Sequence, residues 1–123
     1  MNIFTIINAK RAFANYLDAP IPSVVAYKIM KLVRAAEAEE AFYQKEIRKL
    51  TEQYGKRNGD GSLVVEDGSV LLEEGTIQEC RQKVEELKAI EVDAPNISFT
   101  LDELSCVCMT VREMNAISAF ISD

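Results

Sequence analysis

Three cysteines and several paired carboxylates are the side chains in this 123-residue sequence whose type and spacing first invite a chemical reading. Cys106 and Cys108 are separated by one residue, and Cys80 stands apart from them. A closed zinc site needs four ligands, and the chain offers three cysteines and no histidine. Cys-x-Cys is also too tight for the usual two-residue knuckle. The pair therefore reads as small buried hydrophobes, and the odd thiol count points to a reducing compartment. Without histidine, neither a Ser-His-Asp nor a Cys-His nucleophile can be assembled within one chain. The phosphate-cradling patterns Gly-x-x-x-x-Gly-Lys and Gly-x-Gly-x-x-Gly do not occur. Asn58-Gly59-Asp60-Gly61-Ser62 imitates the start of a calcium loop. Counted from Asn58, however, Leu63 falls where an EF-hand needs glycine and Ser69 where it needs glutamate. Carboxylates gather at Glu37, Glu39 and Glu40, at Glu73 and Glu74, and at Glu85 and Glu86. Paired acids can do acid-base work when they converge in a pocket, but these lie on segments that also need a solvated face. The reading is of a non-enzyme with no metal and no cofactor.

The elements that carry these residues are mostly helical. Ile6, Ala9, Phe13 and Leu17 recur at threes and fours and predict a first helix over Thr5 to Leu17. Asp18-Ala19-Pro20-Ile21-Pro22 breaks it, with Pro22 suited to open the next helix and Ser23 to cap it. From about residue 22 to 54 there is no glycine and no internal proline, and strong helix formers dominate. Ile29, Leu32, Val33, Ala36, Tyr43, Ile47, Leu50 and Tyr54 form an apolar stripe along that helix, interrupted at Glu39 and Glu40. Gly55 should end it. About 33 residues at ~1.5 Å each make a rod of ~50 Å, whereas a globule of this length has a radius of gyration of only ~14 Å. The stripe is thus expected to outrun its own globule, making Ile29, Leu32, Val33, Ala36, Tyr43 and Ile47 a candidate interface, most simply of a homodimer.

Beyond Gly55, two β-prone runs within about 62–73 flank Asp67-Gly68, a strong hairpin signal. Thr-x-x-Glu capping boxes begin at Thr76, Thr100 and Thr110. They predict helices at about 76–89 and 110–121 and a short turn after Thr100. Val92 to Phe99 reads as extended chain able to add a third strand to the hairpin. The fold class expected is α+β, mostly α, in a single domain: one long helix packed by shorter ones, with a hairpin or small antiparallel sheet.

Charge adds one further pattern. The net charge is −6, which argues against nucleic acid as a partner, because such binding rests on cations neutralising phosphates. Along the long helix, Lys28, Lys31 and Arg34 precede Glu37, Glu39 and Glu40, and Lys45, Arg48 and Lys49 follow. Blocks of alternating sign can set the register of a partner helix, or they can simply be a solvated surface. No apolar run reaches ~18 residues, so no membrane span is expected, and Met1 to Ile7 lacks the pattern of a secretory signal.

The stretch Ile21-Pro22-Ser23-Val24-Val25-Ala26-Tyr27-Lys28-Ile29-Met30-Lys31-Leu32 resembles the opening of the long helix in a family of small uncharacterised phage and prophage proteins of Gram-positive bacteria. Gln53-Tyr54-Gly55 with Asn58 to Ser62 is similar to that family's helix end and Gly- and Asp-rich turn. Ile97 to Leu104, Met109 to Met114 and Phe120-Ile121 are similar to its tail. The Cys106-Val107-Cys108 segment lies outside the pattern. The resemblance implies a phage or prophage origin and brings no catalytic residue with it. Three functions are then open. The first is a binding protein that blocks or redirects a host macromolecule, such as a defence factor, in the cytoplasm of the infected bacterium. The second is an assembly accessory of the phage particle. The third is sequestration of a small signalling molecule, in an oligomeric cleft lined by groups such as Tyr43, Arg48 and Lys49.

Overall fold

Proline, glycine and the spacing of apolar residues divide this chain into elements. The computed structural model, described over residues 1–122, is α+β and mostly α. Its axis is α2, Ser23–Tyr54, 32 residues without interruption. Pro22 occupies the N-cap with no side-chain hydrogen bond, so Ser23 is the first helical residue and not a cap. Gly55 ends the helix in an extended conformation, φ −69° and ψ 138°, and left-handed geometry plays no part. Space explains the glycine: an added Cβ would lie 2.5 Å from both Leu63 Cδ2 and the Thr51 carbonyl oxygen.

The first helix, α1, runs Ile3–Ala12, earlier than its apolar spacing predicts. Asn2 fixes the start, its Oδ1 accepting from the Thr5 backbone N–H at 2.9 Å. Beyond Ala12 the chain tightens into one 3₁₀ turn, Ala14–Tyr16. Leu17, expected on the inner face, is therefore swung outward and is 57% exposed.

After α2 come strands β1 (Val65–Glu66) and β2 (Ser69–Val70), a hairpin shorter than 62–73. Asp67 and Gly68 both have positive φ, 51° and 79°, as a two-residue turn with the twist of its strands requires. The third chain beside the hairpin is the segment leaving α2. Gly55 bridges Leu72 and Arg57 bridges Leu63. The Lys56 N–H donates to Leu71 O at 2.7 Å, and the Val64 N–H donates to Lys56 O at 2.8 Å. The segment 92–99 does not join this sheet. Strand β3 (Phe99–Thr100) instead pairs in parallel with β4 (Ile121–Ser122).

Helix α3 spans Ile77–Lys88 and packs on the second half of α2. Thr76 sits in helical geometry and turns its hydroxyl back to Glu73 O at 2.7 Å, so its capping box does not form. Thr100 and Thr110 are extended, and both close full boxes with Glu103 and Glu113. They start α4 (Leu101–Leu104) and α5 (Val111–Ala116). The latter is half the length expected, because a 3₁₀ turn at Ser118–Phe120 leads the chain into β4.

One apolar core unites α1, the inner face of α2 and the C-terminal elements. Ile3, Ile6, Ile7 and Phe13 of the N-terminal segment are fully buried, with Leu32 of α2 and with Phe99 and Ile117. The Phe13 and Phe99 rings lie 5.3 Å apart, tilted by 42°. Ile29, Leu32, Ala36 and Tyr43 lie inside this core, and Val33 and Ile47 pack half-buried against it. Four of the six are thus interior packing and not an open interface, and Val33 and Ile47 keep part of their surface in solvent. The stripe does not outrun its cover, because α1, α3 and the C-terminal elements lie against different stretches of the same rod. Glu40, where the stripe falters, is the point at which α1 is latched: Lys10 Nζ is 2.6 Å and Arg11 Nε 3.5 Å from its carboxylate. The cysteine reading is also corrected. Cys80 is buried, whereas Cys106 and Cys108 are exposed, and Val107 between them turns inward. Among the described residues no helix is long and apolar enough to cross a membrane.

Candidate functional site on the outer face of the long helix

A helix advances ~100° per residue, so α2 must present outward whatever lies opposite Val25, Leu32, Ala36 and Tyr43. Two large apolar residues stand there in the first two turns, Val24 at 67% and Tyr27 at 58% exposure. Phe42 is exposed four turns further on, with Ala38 and Ala41 between. Around them, the exposed positions of α2 carry five cations, Lys31, Arg34, Lys45, Arg48 and Lys49, against two carboxylates, Glu37 and Glu52. The exposed positions elsewhere in the described chain carry twice as many carboxylates as cations. An acidic molecule thus shows one basic face with apolar side chains set into it.

The residues read as a charge register separate into two kinds. Lys28 is half-buried and structural. Its ammonium lies 2.8 Å from both carboxylate oxygens of Glu103 and 2.9 Å from Ser98 O, tying α2 to the start of α4. This ammonium, with the Thr100 backbone N–H, holds the Glu103 carboxyl below its ordinary range. Glu40 is the α1 latch, and Glu39 is half-buried beside it in sequence. Lys31, Arg34, Glu37, Arg48 and Lys49 project outward. Lys49 meets Glu46 at 3.0 Å, and Lys31 lies 5.7 Å from the centroid of the Tyr27 ring. Lys31, Arg34, Lys45 and Arg48 make no ion pair among the described residues.

Two recesses border this face near its N-terminal end. A cleft of about 340 Å³ runs between Val24, Tyr27, Lys28 and Lys31 and the segment Asn96–Ser98. On the other flank, Leu17 and Ile21 with Ala26, Met30 and Val33 line an apolar groove of about 250 Å³. Its wall is held by Tyr16, whose hydroxyl lies 2.7 Å from Glu113 Oε1 and 2.8 Å from Cys108 O. The Glu113 carboxyl is held low by the Thr110 backbone N–H and then by Tyr16, while the same carboxylate pushes the Tyr16 hydroxyl up.

Of the three residues named for a cleft between copies, Arg48 and Lys49 are on the surface and Tyr43 is not. Tyr43 is 7% exposed and faces the core, and the two cations point to solvent. Among the described residues no group of three acidic or thiol side chains is set to hold a metal ion. Sequence reasoning overlooked Val24, Tyr27 and Phe42 because it followed the inner stripe alone. Their signal was their place on the helical wheel, off the stripe yet large and apolar. No family model, no curated protein and no solved structure matches the chain.

Proposed function

We propose that this chain is a non-enzymatic binding protein of phage origin that docks on a host macromolecule in the bacterial cytoplasm and blocks or redirects it. The observation that carries the reading is the outer face of α2, where Val24, Tyr27 and Phe42 stand exposed among cations on an otherwise acidic molecule. Large apolar groups with adjacent unpaired charge are what a macromolecular interface desolvates at its centre and pairs at its rim. The likeness of Ile21 to Leu32 to a phage-protein helix supports the origin, and the absence of histidine, which removes the Ser-His-Asp and Cys-His nucleophiles, favours a non-enzymatic role.

The test is affinity capture from the bacterial host with the tagged chain and with a Tyr27→Ala/Phe42→Ala variant of equal melting temperature. A host macromolecule retained by the first and lost from the second is expected. Capture that is unchanged by the variant would remove the outer face from the function. Recovery of the chain in purified phage particles, with no host partner, would favour the assembly role instead.

A further inference from the structure

We propose that the occupant of the α2 outer face is an acidic amphipathic helix of another protein, laid lengthwise along α2. This rests on the docking role just proposed and names the chemistry of its partner. Lys31 and Arg34 form one exposed cationic pair, and Lys45 and Arg48 form a second. The pairs share the same internal spacing and are offset by two heptads, ~21 Å of helix. Exposed Tyr27 and Phe42 lie near the two pairs, and small Ala38 and Ala41 lie between them. A partner helix packed near-parallel meets that repeat with its own i, i+3, i+4 and i+7 positions. Its apolar residues fill the space over the alanines between the two rings. Its glutamates or aspartates, two heptads apart, reach the two cationic pairs.

Charge decides against two other occupants. A second copy applied face to face about a two-fold axis would set Lys31 and Arg34 against Arg48 and Lys45, cation on cation. Duplex DNA offers a phosphate charge every ~1.7 Å of its axis, and a straight face with two separated cationic pairs neutralises few of them. The exposed carboxylates on the rest of the molecule, twice as many as the cations there, would also repel a polyanion of that size. An acidic helix is short and narrow enough to meet α2 alone.

The experiment titrates the full chain into three fluorescent probes. They are a designed 21-residue helical peptide with leucines at a and d and glutamates at e and g, the same peptide with lysines at e and g, and a 20-base-pair DNA duplex. The glutamate peptide is expected to bind, at least tenfold more weakly in 300 mM than in 50 mM salt. It should weaken at least tenfold with Lys31→Glu/Lys45→Glu and with Tyr27→Ala/Phe42→Ala, each variant checked for an unchanged melting temperature. The lysine peptide and the duplex should not bind. Equal binding of both peptides, or preferred binding of the duplex, would overturn the proposal. So would dimerisation of the chain abolished by the Phe42 variant. Host-partner capture that still requires Tyr27 and Phe42, with neither peptide bound, would leave the docking role standing and remove the acidic helix.

Discussion

Gly55 has an ordinary φ of −69°, so replacing it by alanine tests space and not backbone strain. The new Cβ would press on Leu63 and on the Thr51 carbonyl. Gly55→Ala should cost about 1–3 kcal/mol of stability, read as a lower urea midpoint. Glu103 offers a test by pH. Lys28 is the chief cause of its lowered pKa, so the contribution is present above the ordinary value of 4.5 and is lost as pH falls through the lower folded value. Lys28→Met should therefore make acid unfolding begin at higher pH, while a Glu103→Gln chain should show little added effect of that substitution across the same window. Acid titration followed by circular dichroism reads both. The thiols show where residue-scale inference stopped. Cys-x-Cys was read as buried on composition alone, but alternation put Val107 inward and left both neighbours outside. Cys106 and Cys108 should react with a thiol reagent in the native protein, and Cys80 only on unfolding.

At the scale of elements, α2 and its inner face were legible because a 3.6-residue period over 32 residues leaves one side to bury. Two capping boxes were legible for the same local reason, as donor and acceptor lie within one turn. What could not be read was tertiary. Thr76 has the right residues, but the preceding Glu73 carbonyl captures its hydroxyl. The C-terminal helix stops at Ala116 because Ile121 is drawn into pairing with Phe99, a contact across more than twenty residues. The candidate site was half legible: its cations were identified, while its exposed rings were hidden beside a stronger inner pattern. The two faces of α2 can be separated by stability. Leu32→Ala should cost about 2–5 kcal/mol, and Tyr27→Ala should stay within about 0.5 kcal/mol, both by urea unfolding.

Over the whole molecule, stability is divided between the main core and a satellite. Tyr54, Cys80 and the hairpin lie outside the main apolar cluster, and the strands β1 and β2 are largely exposed. Amide hydrogens from Lys56 to Leu72 should exchange well before those of α1 and the middle of α2. Equal protection throughout would mean that the satellite opens only with global unfolding. Such exchange would not touch the proposed docking face: Phe42 lies next to the Glu40 latch to α1, and Tyr27 next to the Lys28 tie to Glu103.

Setting cations along one side of a net-negative body creates a permanent electric dipole perpendicular to the rod. Beyond a Debye length, ~10 Å at 0.1 M salt, the net charge is largely screened; within it, an anionic target is attracted at the cationic edge and repelled elsewhere. That difference favours encounters in which the molecule has turned its cationic edge toward the target, and it should fade as added salt shortens the screening length.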